Sequence, residues 1–488
     1  MTLPSSSPSR RPLPLPLRRR PRSYEEALAY LGASVDLEAL VAGRFEAPTL
    51  ERMERLCALM ADPQHGQPAI HVTGTNGKGS TARITTALLG AHGLSVGTYT
   101  SPDLTRVNER ISRDGAPIDD ADLAEAIAAV AVLEEASGIV PTRFEILTLA
   151  ALRWFVDTAV DAAVVEVGMG GRWDATNVVD GAVAVVTNVG LDHTDVLGPT
   201  RADISAEKAG IVKSGSSLVL GETDPELVPI FEAAGPATLW RRDQDFGCRT
   251  NQVAVGGRLL DLFTPGASYD DVFLPLHGAH QGDNVAAAVA AVEAFFGRPV
   301  DDDVLREGLA TVQAPGRFEI VGRRPLVVLD GAHNPDGCQA AAATLDDFSL
   351  AGSPVLVVGM NRGRSATEMM KALGVKHTRL VVACAVDWPR AMPPTEIAQA
   401  AEELGVAVEV VPDVARVDLA YPDLRIAIEC DSDRWHSGRH RRQADLDRQN
   451  RLVLAGWTIL RFTWEDLVDR PELIIERVEA AIAALTTR

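Results

Sequence analysis

The chain has 488 residues, 46% of them hydrophobic, with 47 Lys+Arg against 67 Asp+Glu and a formal net charge of −20. Length sets a prior of about three domains, and the acidic balance excludes a role resting on whole-chain attraction to nucleic acid or to an anionic membrane. Five cysteines at 57, 248, 338, 384 and 430 form no CxxC and no paired spacing, which suggests neither a disulfide framework nor a structural zinc site and fits a reducing, cytoplasmic compartment.

In chain order, residues 1–22 are rich in Pro, Ser and Arg and lack the apolar core of a signal peptide; the composition predicts a disordered head. From Ser23 onward, Ala-rich helical stretches alternate with short Val/Ile runs that end in Gly, Asp or Asn, the pattern of βαβ units around a parallel sheet. Buried strands are predicted at 69–72, 95–99, 162–167, 183–189, 217–220, 326–329, 355–358 and 379–383, and helices at 79–91, 121–136, 145–159 and 284–296. The most apolar runs, 159–167 and 183–189, are too short to cross a bilayer, so no membrane partner is expected. Segment 240–275 alternates polar and apolar residues and reads as a β-ribbon. A second α/β domain is predicted to start near 298. Beyond 416, Trp435, Trp457 and Trp464 stand among many arginines, a separate composition.

The strongest local signal is His71-Val72-Thr73-Gly74-Thr75-Asn76-Gly77-Lys78-Gly79-Ser80-Thr81, between a predicted strand and a predicted helix. Glycines there let backbone N–H groups turn toward phosphate oxygens. The helix N-terminus adds positive charge, Lys78 neutralises phosphates and a hydroxyl reaches Mg²⁺. It departs from GxxxxGK[ST] in that position 72 is Val and Gly79 separates Lys78 from Ser80. A second constellation, Glu166-Val167-Gly168-Met169-Gly170-Gly171-Arg172-Trp173-Asp174-Ala175-Thr176-Asn177, sets a carboxylate at a strand's carboxyl end, where ligands of open α/β sheets sit and where a hard oxygen suits Mg²⁺. The third is Thr187-Asn188-Val189-Gly190-Leu191-Asp192-His193, followed by Glu207-Lys208-Ala209-Gly210. His193 alone is either a structural histidine or a metal neighbour.

Taken together, in this order and spacing, these motifs resemble the Mur ligase superfamily, most closely the folylpolyglutamate synthases/dihydrofolate synthases. Further matches are Ser101-Pro102 with Asn108-Glu109-Arg110-Ile111, Thr142-Arg143-Phe144-Glu145, His280-Gln281 with Asn284, Pro315-Gly316-Arg317-Phe318-Glu319 and Asp330-Gly331-Ala332-His333-Asn334-Pro335. The resemblance covers about residues 23–414. It implies an α/β fold with a P-loop ATP-binding domain at 23–297, a smaller Rossmann-like domain at 298–415, and an ATP-dependent amide ligase acting as a monomer. The substrates implied are dihydropteroate or a folate, L-glutamate and ATP.

Family roles carried onto this sequence place ATP against Asn76, Gly77, Lys78, Gly79, Ser80, Thr81, Asn284, Arg317 and Asp330, with domain closure bringing up Arg317. Ser80, Ser101, Glu166 and His193 would hold Mg²⁺, as one of two ions, and Lys208 would be the carbamylated lysine. His333 would lie beside the ligated group. Thr142, Phe144, Glu145, Trp173 and Asp174 would line the pterin and benzoate pocket.

Three departures stand out. Asp103 occupies a position that in the family is commonly His or Phe, which implies weaker binding of an anionic substrate. The family's Gly-x-x-x-Asp-Lys-Asp reads Gly359-Met360-Asn361-Arg362-Gly363-Arg364-Ser365, and its final strand and helix, expected after Val411-Pro412-Asp413, are missing. In their place, 416–488 resembles part of a very-short-patch-repair-like endonuclease of the restriction-endonuclease fold. Asp418, Glu429, Asp431 and His436 match its Mg²⁺-dependent phosphodiesterase positions, and nucleic acid is a partner only if that fragment is active. The other reading of the tail is a remnant that supplies the second domain's missing strand and helix. Two alternatives to the folate ligase are a Mur-type ligase on another carboxylate and an endonuclease-like module fused to an inactive ligase.

Overall fold

The computed structural model describes residues 20–35, 50–323, 326–348, 352–386, 388–411, 420–421, 426–431, 458–463 and 477. Residues 1–19 of the predicted head, Asp418, His436, Trp435, Trp457 and Trp464 lie outside the described residues. One compact unit runs to Ser353 and takes in Thr367–Val375; a second comprises Pro354–Ala366 and the chain from Lys376 onward.

The first unit begins with α1 (Tyr24–Gly32), α2 (Glu51–Leu59), β1 (Ala69–Thr73), α3 (Lys78–Ala91), β2 (Val96–Tyr99), β3 (Ile111–Arg113), β4 (Ala116–Pro117), α4 (Asp120–Ser137) and α5 (Arg143–Asp157). It continues through β5 (Ala162–Glu166), β6 (Gly181–Val186), α6 (Thr194–Leu197), α7 (Arg201–Ala209), β7 (Ser217–Leu220), α8 (Val228–Glu232) and β8 (Thr238–Arg241). The strands form one sheet in the order β4-β3-β2-β5-β1-β6-β7-β8. All pairings from β2 to β8 are parallel, and β3 and β4 are added antiparallel at one edge. The carboxyl ends of β5, β1 and β6 therefore lie side by side at the sheet's centre, the place where such sheets bind ligands.

Strand alternation distributes the core. Ile70, Val72, Ala162 and Val164 join α3 and the buried helix α9 (His280–Phe296) on one face. Their neighbours Ala69, Ala163 and Val165 join α1, α2, α4 and α5 on the other. Both faces are covered, which is why the central strands read as unbroken apolar runs. The segment after β8 is a three-stranded antiparallel sheet, β9 (Gly247–Ala254), β10 (Gly257–Phe263) and β11 (Ser268–Leu274), the ribbon expected from its polar alternation. Then come α9, α10 (Asp302–Ala310), the hairpin of β12 (Glu319–Arg323) with β13 (Leu326–Leu329), and α11 (Pro335–Asp346).

Two element boundaries differ from the sequence reading for identifiable reasons. Strand β6 stops at Val186 because Thr187 and Asn188 turn to bond the phosphate loop: Asn188 O accepts from Thr75 N–H at 3.0 Å and Asn188 Oδ1 from Asn76 N–H at 2.9 Å. Helix α9 begins at His280 rather than 284, through a glycine. A Cβ at Gly282 would come within 2.4 Å of Asn251 Nδ2 on β9, so close packing rather than helix propensity chose that residue.

After α11 come β14 (Val355–Val358), α12 (Ala366–Ala372), β15 (Leu380–Cys384), α13 (Pro394–Glu403) and β16 (Val408–Val411), with β14-β15-β16 a parallel three-stranded sheet. In the tail, β17 (Ala420–Tyr421), β18 (Ile426–Asp431) and β19 (Thr458–Thr463) form a sheet of their own, β18 antiparallel to β17 and parallel to β19. With β18 between β17 and β19, the tail strands pair among themselves and not with β14–β16. Among the described residues the tail does not supply the expected missing strand.

Candidate active site

The loop between β1 and α3 is shaped by its glycines and by β6. Gly77 has φ +82°, and a Cβ there would sit 2.3 Å from Asn284 Oδ1 on α9; one at Gly74 would collide with Thr187. Lys78 Nζ folds back to donate to Gly74 O at 3.0 Å and Thr75 O at 3.3 Å, so the ammonium is held against the loop it serves. Ser80 and Thr81 are buried in the first turn of α3. Thr81 Oγ1 and Gln281 Nε2, the latter beside Asn284, are buried with no partner among the described residues. A glycine cradle at a helix N-terminus, one lysine and orphaned polar atoms fit a nucleotide triphosphate.

Glu166 ends β5 and is buried, its Oε2 accepting from the Ser101 N–H at 3.1 Å. Burial raises its carboxyl above the ordinary range, opposed by Lys78, the Ser101 N–H, Arg317 and Arg83. The charges of Lys78, Arg317 and Arg83 all act on this one carboxylate, which favours further anions nearby. Arg83 was not a sequence candidate, although it follows Gly79 by one helical turn and so shares its face toward Glu166. Burial lowers its guanidinium's pKa. Ser101 itself is carried on a loop that Glu109 organises, accepting from the Leu104, Thr105 and Arg106 N–H groups. Asp103, whose presence implies weaker binding of an anionic substrate, is bonded at 2.5 Å to the buried Arg110, so its charge is matched.

Arg317 lies in the same compact unit as the phosphate loop and already acts on Glu166. Asp330 fixes the loops on both sides of it, accepting from the Phe318 N–H at 2.8 Å and the Ala332 N–H at 2.7 Å.

The residues assigned to the pterin pocket divide into two kinds. Thr142 and Glu145 form the capping box of α5, and Glu145 also takes the Arg52 guanidinium at 2.8 Å. Asp174 is buried and holds the glycine loop, accepting from the Met169 N–H at 2.9 Å and from Thr176 N–H at 2.9 Å and Oγ1 at 2.5 Å. Thr176 in turn bonds His71 Nε2 at 2.9 Å, and burial drives the His71 imidazole down to about 3. Phe144 and Trp173 contribute apolar surface: the Phe144 ring packs on Gly168, where a Cβ would meet it at 2.5 Å, and Trp173 flanks Gly170.

Beyond β6, His193 takes a left-handed conformation (φ +51°) and is partly exposed. Its neighbour Asp192 faces His333 Nε2 at 3.4 Å and accepts from Asn334 Nδ2 at 3.1 Å. Lys208 on α7 is buried; burial, reinforced by Lys78, pushes its ammonium well below the lysine range against the pull of Asp192 and Asp174. A buried amine depleted of its proton is the form that reacts with carbon dioxide. Among the described residues no three His, Cys, Asp or Glu side chains cluster as a metal site. The expected set of two hydroxyls, one carboxylate and one imidazole is sparse, which fits Mg²⁺, since that ion completes its shell with waters and phosphate oxygens. In the tail, Glu429 and Asp431 stand two apart on β18, in register with Arg461 and Thr463 of β19. No helix among the described residues is long and apolar enough to cross a membrane.

Family models match in three places: Mur ligase middle domain at 72–292, Mur ligase, glutamate ligase domain at 316–423, and REase_MTES_1575 at 395–482. The chain is 35% identical over 382 residues to the dihydrofolate synthase/folylpolyglutamate synthase of Bacillus subtilis, spanning 75% of this chain and 88% of that one. This chain belongs to the folylpolyglutamate synthase/dihydrofolate synthase family. A relative of the same name from Mycobacterium tuberculosis is 44% identical over 322 residues, 61% of this chain and 66% of the relative. Among solved structures, Mycobacterium tuberculosis folylpolyglutamate synthase complexed with ADP superposes with TM-score 0.75 at 34% identity, covering 90% of this chain and 95% of that one. A bifunctional member of the family with Mn, AMPPNP and L-glutamate bound gives TM-score 0.70 at 30% identity, covering 80% and 90%. The chain is therefore an enzyme of the Mur ligase class, with a segment similar to a restriction-endonuclease-like family at its end.

Proposed function

We propose that the chain ligates L-glutamate to dihydropteroate, to folates, or to both, at the expense of ATP, as a cytoplasmic monomer. The observation that carries this reading is the buried Glu166 at the end of β5, whose Oε2 accepts from the Ser101 N–H at 3.1 Å and lies 3.4 Å from where a Cβ on Gly79 would sit, against the glycine-built phosphate loop. The acceptor carboxylate attacks the γ-phosphate and releases ADP; the glutamate amine then attacks the acyl phosphate and phosphate leaves. The protein forms no covalent bond with either substrate, so its contribution is positioning and charge neutralisation. Lys78, Gly77, Gly79, Ser80, Thr81 and Asn284 hold the triphosphate, and Arg317 takes charge that develops during transfer. Ser80, Ser101, Glu166 and His193 hold divalent metal, which when bound neutralises phosphate charge and polarises the transferred group.

Asn76, Asp330, Thr142, Glu145 and Asp174 serve this site chiefly by fixing loops, and Phe144 and Trp173 supply the flat apolar face for the pterin and benzoate rings. His333 stands next to the incoming amine. The depressed Lys208 supports carbamylation there, which would replace a neutral amine with an anion beside the metal. The four free cysteines among the described residues support a reducing compartment. Incubation with labelled glutamate, ATP and Mg²⁺ tests the proposal: label entering dihydropteroate or a reduced folate is the expected result, and label entering neither overturns it.

The domain limits proposed are 23–297, 298–415 and 416–488. For the last, the match at 395–482 and the β17-β18-β19 sheet support an endonuclease-like fragment with Asp418, Glu429, Asp431 and His436 as its metal and hydrolysis residues. Mg²⁺-dependent cleavage of duplex DNA, lost in Glu429→Ala, is the expected result for an active fragment; uncut DNA marks it as a remnant.

A further inference from the structure

One side chain joins the phosphate loop to the loop that carries His333. Asn334 Nδ2 donates to Asn76 Oδ1 at 3.0 Å and to Asp192 Oδ2 at 3.1 Å. Its Oδ1 accepts from Asn76 Nδ2 at 3.2 Å and from the Gly337 N–H at 2.9 Å, where it caps α11. A carboxamide offers two donor hydrogens and two acceptor lone pairs, and here a buried residue uses all four. Asn76 is clamped from the other side as well: its N–H donates to Asn188 Oδ1 at 2.9 Å, and its carbonyl accepts from Thr187 Oγ1 at 2.6 Å and Asn188 Nδ2 at 3.0 Å. The Asn76 side chain, a sequence candidate for ATP contact, gives one donor and one acceptor to Asn334, a reciprocal pair that ties the glycine loop to it. Asp192 closes the circuit. Its Oδ2 also faces His333 Nε2 at 3.4 Å, its Oδ1 accepts from the His193 N–H at 2.9 Å, and its charge acts on Lys208.

We propose that Asn334, bonded to Asn76 and Asp192, is a positioning residue that couples the phosphate loop to the His333 loop, so that the acyl phosphate forms only where the amine can reach it. This rests on the ligase reading above. With the coupling cut, the nucleotide loop is less well organised, and acyl phosphate that does form meets water in place of the amine. Water's oxygen then replaces the amine nitrogen, the acceptor carboxylate is regenerated, phosphate leaves, and the net reaction is ATP hydrolysis.

Asn334→Ala would also uncap α11 and confuse coupling with stability, so the informative variant is Asn334→Asp. It keeps the capping oxygen, Asp being as good an N-cap as Asn, but loses both donations and sets a carboxylate against Asp192. Asn76→Ala removes the same link from the other end. The expected result is ADP binding weakened about tenfold by calorimetry in each variant, phosphate released per amide formed rising above the wild-type ratio, and the double variant no worse than the poorer single. Unchanged ADP affinity with an unchanged ratio, or single effects that multiply, would overturn the coupling. A wild-type enzyme that binds ADP yet ligates no glutamate would overturn the ligase reading, while the ADP arm still decides whether Asn334 positions the loop.

Discussion

At the scale of single residues, the proposed chemistry rests on charge placement around the phosphate loop. Lys78→Ala or Glu166→Ala removes one side of the balance between cations and carboxylate and should abolish ligation with the far-ultraviolet circular dichroism spectrum unchanged; undiminished turnover in either would refute the site. Buried ionisable groups also leave a stability signature. His71 titrates near 3 in the folded chain against an ordinary value near 6.5, so between those values the unfolded state binds more protons and stability falls as pH drops. By linkage the loss between pH 7 and pH 5 is about 2 kcal/mol. Urea denaturation of wild type and His71→Phe at both values should show that difference in pH dependence; equal slopes would mean His71 is not buried neutral.

At the scale of elements, capping and close packing position the site. Thr142 and Glu145 reciprocally cap α5, the helix that brings Phe144 against Gly168. Thr142→Ala should therefore cost about 1 kcal/mol of stability, read as a lowered melting temperature, and should raise the KM for the pteroyl substrate more than that for ATP. Equal changes in both would put Thr142 outside the pocket's support. The strands and helices of the central sheet are legible in the sequence because burial on both faces writes an unbroken apolar run, and the phosphate loop because glycines and a lysine cluster between a strand and a helix. What was not legible was the division of labour. Motif matching cannot tell a carboxylate that touches substrate from one that, like Asp174 or Glu145, spends its oxygens on backbone N–H groups. It passes over Arg83, and it places Asp192 and Asn334 in motifs without a role, because their roles arise from which loops meet in space.

At the scale of the whole molecule, the chain joins a ligase to a tail that pairs its strands only with one another among the described residues. Removal of 416–488 leaves every strand pairing of the central sheet and of β14–β16 in place. The expected outcome is an unchanged calorimetric transition for the nucleotide-binding unit, and loss of that transition would show that the tail is required for its fold. Glutamate ligation by this chain is measured by ADP release from the purified protein with ATP, Mg²⁺ and glutamate, comparing dihydropteroate, a reduced folate and no acceptor. The expected result is turnover that depends on acceptor and on glutamate; a folded, ADP-binding protein that stays silent with both acceptors would rule out the ligase.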